Sequence, residues 1–203
     1  FERTGDICWR ECAEYYSLLL KPRRRDRDVH DLGFIFLNTY LPWYRQTEEA
    51  ELRDVLIEAG RTLSLRFMEK GQYLRSFVAP ESLFIDIMMN VPLIFWAANK
   101  TGDAELRRIA DAHCRTTRET VVRPDGSTAH EGLFDLETGK FLTQSTHQGL
   151  AADSAWARGL AWSLYGYSQV YGLTGDEQWL EVAERNAGYW LKRLPEDKVP
   201  WWD

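Results

Sequence analysis

Three copies of one tripeptide constrain the architecture of this 203-residue chain more than any other feature. Thr4-Gly5-Asp6, Thr101-Gly102-Asp103 and Thr174-Gly175-Asp176 each precede a helical pattern, and Thr47-Glu48-Glu49 stands as a degenerate fourth copy. Glycine suits the left-handed end of one helix, and aspartate suits the N-cap or first turn of the next. An amphipathic, surface-type pattern follows each copy, over residues 7–20, 50–67, 104–117 and 177–191. More apolar or aromatic patterns, over 31–44, 82–99 and 154–171, lie before three of them. The recurring unit is an apolar helix, a tight turn and an amphipathic helix. It predicts an all-α fold with an apolar inner layer and an amphipathic outer layer. The count is seven helices, three pairs plus one outer helix, about half of a six-pair ring.

Between the helical patterns, residues 121–146 change to a strand-like period. They read as a β-hairpin turning at 137–140, a plausible wall for a cleft. The charge run Lys21–Asp28 reads as a solvated loop. No composition break divides the chain, so residues 1–203 are taken as a single domain. It begins at Phe1 without a methionine, in what reads as the middle of an element, and reads as a fragment.

Composition narrows the functional classes. The chain is 44% apolar and 28% charged, as soluble globular proteins are, with nine Trp, nine Tyr and nine Phe. A net charge of −6 argues against nucleic acid or an anionic membrane as partner, so an acidic ligand needs a local positive group. Cys8, Cys12 and Cys114 are odd in number and match no metal spacing. Cys8 and Cys12, four apart on a helix, read as small apolar residues. A reducing, cytoplasmic location is expected, with no signal peptide or membrane-length apolar run.

Two stretches carry candidate chemistry. Asp86 and Asn90 interrupt the apolar run 82–96 and, if helical, share one face. A carboxylate in apolar surroundings resists ionisation and so suits a general acid; the alternative is a helix edge where Asp86 pairs with an arginine. In the second stretch, Ser154, Arg158 and Trp162 step by four. A hydroxyl, a guanidinium and an indole on one stripe suit a uronic acid, by hydrogen bonding, bidentate pairing and stacking. The alternative has Trp156 and Trp162 in the core and Arg158 paired with a structural Asp. Gly159, costly inside a helix, points to close approach by a backbone or ligand. Asp31 is either an N-cap or a second carboxylate facing Asp86. His130, at the hairpin, is either a loop residue or a ligand contact, and His113 and Cys114 read as structural. No phosphate-binding loop, metal-ligand cluster or Gly-x-Ser-x-Gly elbow is present.

At these residues the sequence resembles the unsaturated glucuronyl hydrolases of glycoside hydrolase family 88. The resemblance rests on His-Asp-Leu-Gly-Phe at 30–34, the 82–96 run with Asp86 and Met-Met-Asn, His130, and Gln148-Gly with Ser-Ala-Trp-Ala-Arg-Gly-Leu-Ala-Trp at 154–162. It implies an (α/α)6 barrel without metal or cofactor, of which residues 1–203 would be a single catalytic domain lacking the first inner helix and the last helix pairs. The implied substrate is a small oligosaccharide bearing a 4,5-unsaturated uronate at its non-reducing end. It also implies hydration of the vinyl ether, with Asp86 as general acid and then base and Asp31 as its essential partner. His130, Gln148, Ser154, Arg158 and Asn90 are expected to hold the uronate, with Trp156 or Trp162 supporting it. The related family 105 type, acting on rhamnose-containing fragments, and a helical-repeat binding protein without catalysis are the alternatives.

Overall fold

The Thr-Gly-Asp repeat acts in the computed structural model, which describes residues 3–203, as its chemistry requires. Gly5, Gly102 and Gly175 have φ of 71°, 71° and 69°, the left-handed region open to a residue without Cβ. In each copy the Thr hydroxyl accepts a hydrogen bond from the Asp backbone N–H, at 3.3, 3.3 and 3.2 Å. Each Asp side chain then caps the next helix: Asp6 accepts from Cys8 N at 3.0 Å, Asp103 from Glu105 N at 3.0 Å and Asp176 from Gln178 N at 3.2 Å. The fourth copy keeps the turn and the Thr47 hydroxyl bond from Glu49 N at 3.4 Å, without the glycine or the side-chain cap. Glu48 is left-handed at φ 55°, and Glu49 caps the following helix with no side-chain bond.

Eight α-helices are present among the described residues. They are α1 (Ile7–Leu18), α2 (Leu32–Asn38), α3 (Tyr40–Thr47), α4 (Ala50–Ser64), α5 (Val91–Thr101), α6 (Ala104–Thr120), α7 (Ala157–Thr174) and α8 (Glu177–Arg193). Inner helices α2, α5 and α7 pack on one another in the order α2–α5–α7. The amphipathic α4, α6 and α8 cover them from outside, the layering expected of an (α/α)-barrel type fold. Helix α1 buries only Ser17 and leaves Trp9, Tyr15 and Tyr16 exposed. Cys8 and Cys12 are therefore exposed rather than packed, while Cys114 is buried in α6. No helix among the described residues is long and apolar enough to cross a membrane.

Two of the three inner patterns are broken or shorter than their sequence suggests, for identifiable reasons, while the third keeps its length of 18 residues and is shifted to Ala157–Thr174. The 31–44 pattern breaks at Thr39. Pro42 lacks the N–H that would bond the Asn38 carbonyl, and the Thr39 hydroxyl donates to Ile35 O at 2.6 Å. The 82–99 pattern opens as strand β3 (Ser82–Phe84), tightens into a 3-10 turn (Ile85–Met89) and becomes helix only with Pro92 in the first turn of α5. The charge run is no free loop: Lys21–Arg25 form a 3-10 turn whose Lys21, Arg24 and Arg25 pair with Glu51 and Glu58 of α4.

The hairpin is present as β4 (Glu131–Phe134) and β5 (Phe141–Ser145). Strand β3 joins it, giving an antiparallel β3–β4–β5 sheet in which Phe84 lies opposite Glu131 and Glu131 opposite Ser145. A two-stranded ribbon, β1 (Phe67–Met68) with β2 (Tyr73–Leu74), completes the strands.

The degenerate turn gives a direct test. Glu48→Gly removes the left-handed penalty on a residue with Cβ and should raise stability by about 1 kcal/mol. A urea midpoint that moves up with an unchanged m-value is the expected result.

Candidate active site

Asp86 and Asp31 come from segments far apart in sequence, and a single amide joins them. Asn90 Oδ1 accepts from Phe34 N at 2.9 Å, and Asn90 Nδ2 donates to Asp86 O at 3.0 Å. Gly33 makes this approach possible: a Cβ there would lie 2.3 Å from Asn90 Cα. The turn carrying Asp86 is fixed from two further sides. Ile85 N donates to His130 O at 3.0 Å, and a Cβ at Gly166 of α7 would lie 2.2 Å from Met88 O. Gly159 instead faces its neighbour Trp156 and the Ile85 side chain, neither a backbone nor a ligand.

Asn90 is therefore corrected from a substrate contact to a clamp, because it is fully buried and both ends of its amide are used inside the protein. The shared helix face expected for Asp86 and Asn90 is absent, since Asp86 lies on the 3-10 turn.

Two histidines face the two carboxylates. His130 Nε2 lies 3.5 Å from Asp86 Oδ2, and His30 Nε2 lies 3.4 Å from Asp31 Oδ1. The opposite nitrogen of each ring accepts backbone hydrogen bonds. His130 Nδ1 takes them from His147 N at 2.9 Å and Gln148 N at 3.2 Å, and His30 Nδ1 takes one from Phe77 N at 3.2 Å. These donors assign the proton of each neutral ring to Nε2. Asp86 Oδ2 and His130 Nε2 are buried and make no further hydrogen bond, which leaves both pointed at the same spot. Asp86 has no arginine partner; its ion-pair neighbour is His130.

Burial, and then repulsion from Asp86, hold the Asp31 carboxyl above the usual carboxylate range, with the Arg66 guanidinium opposing. Arg66 is buried and spends its fork on the carbonyls of Arg27, Arg75 and Ser76. Burial pushes His30 down to about 4 and His113 to about 3, so both are neutral in the fold. His113 is structural as expected: its Nδ1 accepts from Leu74 N at 3.1 Å and ties the β-ribbon to α6.

The cation of the site is Arg158, in the first turn of α7. Its guanidinium carbon lies 4.4 Å from the Trp156 ring centre and 5.2 Å from that of Trp162, and it donates to Gln148 Oε1. Among the described residues no carboxylate pairs with it, so the structural-Asp alternative fails. Trp156 is buried and stands 4.9 Å from His130, and Phe34 meets Trp162 edge-on at 5.5 Å. Asp86, His130, Trp156, Arg158 and Trp162 thus form one connected wall.

Ser154 does not share it. The residue precedes α7, its Oγ donates to Ala151 O at 2.9 Å, and it lines a separate cavity of about 660 Å³ with Arg123 and Trp190. A smaller cavity of about 430 Å³ joins Gln148, Trp156 and Arg158 to Trp201 and Trp202. The tail bearing those indoles is tied down: Trp202 O accepts from Ala157 N at 3.0 Å and Asp203 Oδ2 from Leu150 N at 2.6 Å. No three His, Cys, Asp or Glu side chains converge as a metal site among the described residues.

Two predictions follow from this geometry. Asn90→Ala strands the Phe34 N–H, worth about 1–3 kcal/mol when buried and unpaired, and removes the amide's bond to Asp86 O, so it should cost about 3 kcal/mol by urea unfolding. The histidine pKa values fall on folding, so their contribution is full above pH 6.5 and lost as pH drops toward 4 for His30 and 3 for His113. Each should give a slope of about 1.4 kcal/mol per pH unit below pH 6.5. Unfolding at pH 7, 6 and 5 should show the decline, and His113→Gln should flatten it.

Comparison with known proteins identifies relatives of the chain as a whole. The model of Glycosyl Hydrolase Family 88 matches residues 18–196. The chain is 36% identical over 214 residues to the unsaturated glucuronyl hydrolase of Bacillus sp. (strain GL1), covering all of this chain and 56% of that protein. It is 36% identical over 181 residues to the unsaturated chondroitin disaccharide hydrolase of Streptococcus agalactiae, covering 87% of this chain and 46% of that one. The crystal structure of the Bacillus sp. GL1 enzyme superposes with a TM-score of 0.94 at 33% identity, covering 100% of this chain and 56% of the other. The structure of a Streptococcus agalactiae unsaturated glucuronyl hydrolase variant complexed with dGlcA-GalNAc6S superposes at 0.80 with 33% identity, over 100% and 50%. The chain spans about half the length of these relatives. A family match over most of its residues, with 36% identity across the whole of this chain to one such enzyme, shows that this chain belongs to glycosyl hydrolase family 88.

Proposed function

We propose that this chain carries the catalytic groups of a glycosidase that removes a 4,5-unsaturated uronate from the non-reducing end of a small oligosaccharide. The observation that carries the reading is Arg158: a cation with no carboxylate partner among the described residues, in a protein of net charge −6, stacked on two indoles beside the carboxylates. Such a group fits a planar, negatively charged sugar ring. The Streptococcus agalactiae relative was solved with dGlcA-GalNAc6S, a ligand of this class.

The reaction assigned to the site is hydration of the C4=C5 vinyl ether. Asp86 gives its proton to C4, and the resulting carboxylate takes a proton from the water that adds to C5. The hemiketal so formed opens and releases the remaining saccharide. One carboxylate serves both steps because donating the proton creates the base. Asp31 stands across from it and holds charge and water in place. The histidines are fixed as donors: with Nδ1 occupied and the proton on Nε2, neither accepts a proton without breaking a backbone bond. They orient the carboxylates and leave the proton transfer to Asp86. Trp156, Trp162 and Gln148 hold the uronate with Arg158, and residues 1–203 act as one catalytic unit.

Loss of the ultraviolet absorbance of the conjugated double bond tests this. Unsaturated chondroitin or hyaluronan disaccharides should lose it with the wild-type protein, and Asp86→Asn should slow the loss at least about 100-fold. Arg158→Ala should raise KM roughly tenfold or more, since a charge-assisted pair is removed. Turnover only of rhamnose-containing unsaturated fragments would move the substrate to the family 105 type. Full activity of Asp86→Asn would overturn the assignment.

A further inference from the structure

Glu131 is a carboxylate buried to 2% exposure, and neither the resemblance nor the reaction gives it a task. Its Oε1 accepts from the Ser82 hydroxyl at 2.5 Å, and its Oε2 lies 3.3 Å from Nε2 of His147, a side chain that is 47% exposed. His147 is the residue whose backbone N–H, with that of Gln148, occupies His130 Nδ1. No other basic side chain pairs with Glu131 among the described residues. A carboxylate taken out of water with only a half-exposed imidazole as ion partner is costly in a place where strand pairing with Phe84 and Ser145 needs no charge. The carboxylate instead meets His147 at the sheet, beside the loop that leads to Gln148 and Arg158.

We propose that Glu131 is a positioning residue: by gripping the His147 side chain it keeps the 147–148 backbone N–H groups on His130 Nδ1, so that His130 presents Nε2–H to Asp86. The inference rests on Asp86 as the proton-transferring group. It adds a residue that touches neither substrate nor Asp86 and acts through His147 and then His130. The grip continues on the other side, where Ser82 Oγ also accepts from Ser76 Oγ at 2.9 Å, beside the Phe77 N–H that occupies His30.

The test reads the histidine rings directly. The chain has four histidines, so long-range nitrogen–proton NMR spectra can be assigned by single substitutions. In the wild type His130 should show one tautomer, with the proton on Nε2. His113, also held by a backbone N–H on Nδ1 but by Leu74 and far from Glu131 in its hydrogen bonding, is the internal control. Glu131→Ala should turn the His130 signal into a tautomer mixture and leave His113 unchanged. His147→Ala, at an exposed side chain that spares the fold, should do the same while keeping its own backbone N–H. Glu131→Gln, which retains hydrogen bonding, should restore most of the single tautomer. In the absorbance assay both alanine variants should lower kcat about tenfold, and the double variant should be no worse than either alone. A folded His147→Ala or Glu131→Ala protein whose His130 stays in the single form would overturn the proposal, as would an unchanged kcat in either. The ring measurement needs no turnover, so a wild type inactive on every unsaturated saccharide would refute the reaction while the spectra still decide the role of Glu131.

Discussion

The Asn90 amide is the interaction on which the site depends. It spans the start of α2 and the turn before α5, 56 residues apart between Phe34 and Asn90, and so sets the distance between the two carboxylates. Phe34 N–H lies in the first turn of α2, where the helix itself offers no acceptor, and Asp86 C=O lies on a short 3-10 turn. Gly33 lets the two backbones meet closely enough for one side chain to bridge them. The surrounding inner helices press on this joint from α5 and α7, and the capped outer helices hold the inner layer in place. A carboxylate pair built this way is rigid because it is set in backbone rather than in long side chains.

The second recurring device is the backbone N–H on a histidine Nδ1. It appears at His30, His113 and His130, and each ring is buried. Burial alone favours neutral imidazole, and the donor on Nδ1 then chooses which nitrogen keeps the proton. At His113 the result is only structural. At His30 and His130 the same arrangement aims two N–H groups at two carboxylates. In the proposed reaction this leaves acid and base chemistry to Asp86 and gives histidine the task of direction, the reverse of the common use of histidine as proton carrier.

Much of this was legible in the sequence because it depends on local chemistry. The Thr-Gly-Asp turns, the two helical layers and the 131–145 hairpin rest on caps, periodicity and turn residues that act within a few positions. Asp31, Asp86, His130, Arg158 and the two tryptophans stood out because polar groups inside apolar runs demand an account. What was hidden depends on partners distant in sequence. Residues 82–84 look helical by composition, but pairing with β4 makes them a strand. Ser154 sits at the right spacing for α7, yet Ala157 N bonds Trp202 O and the helix starts too late to include it. Asn90 looked like a ligand contact because nothing in its neighbourhood shows that Phe34 would claim it. Glu131 and His147 were visible only as neighbours of His130 and Gln148, and only β-pairing shows that they meet.

The electrostatic design follows from where charge is left unpaired. Most arginines here are satisfied by carboxylates or carbonyls, as in the Arg24 and Arg25 pairs with Glu58 and the saturated fork of Arg66. Arg158 has instead an amide oxygen and two aromatic faces, which hold its plane without neutralising its charge. An overall negative protein repels an anionic sugar at long range, but that repulsion is screened within about 10 Å at ordinary salt. At contact distance the exposed guanidinium dominates, because pair attraction rises as the charges approach while the rest of the protein's charge is screened. Under the proposed function, acid selectivity therefore comes from one oriented cation held on aromatic faces, and the opposite net charge of the whole chain does not defeat it.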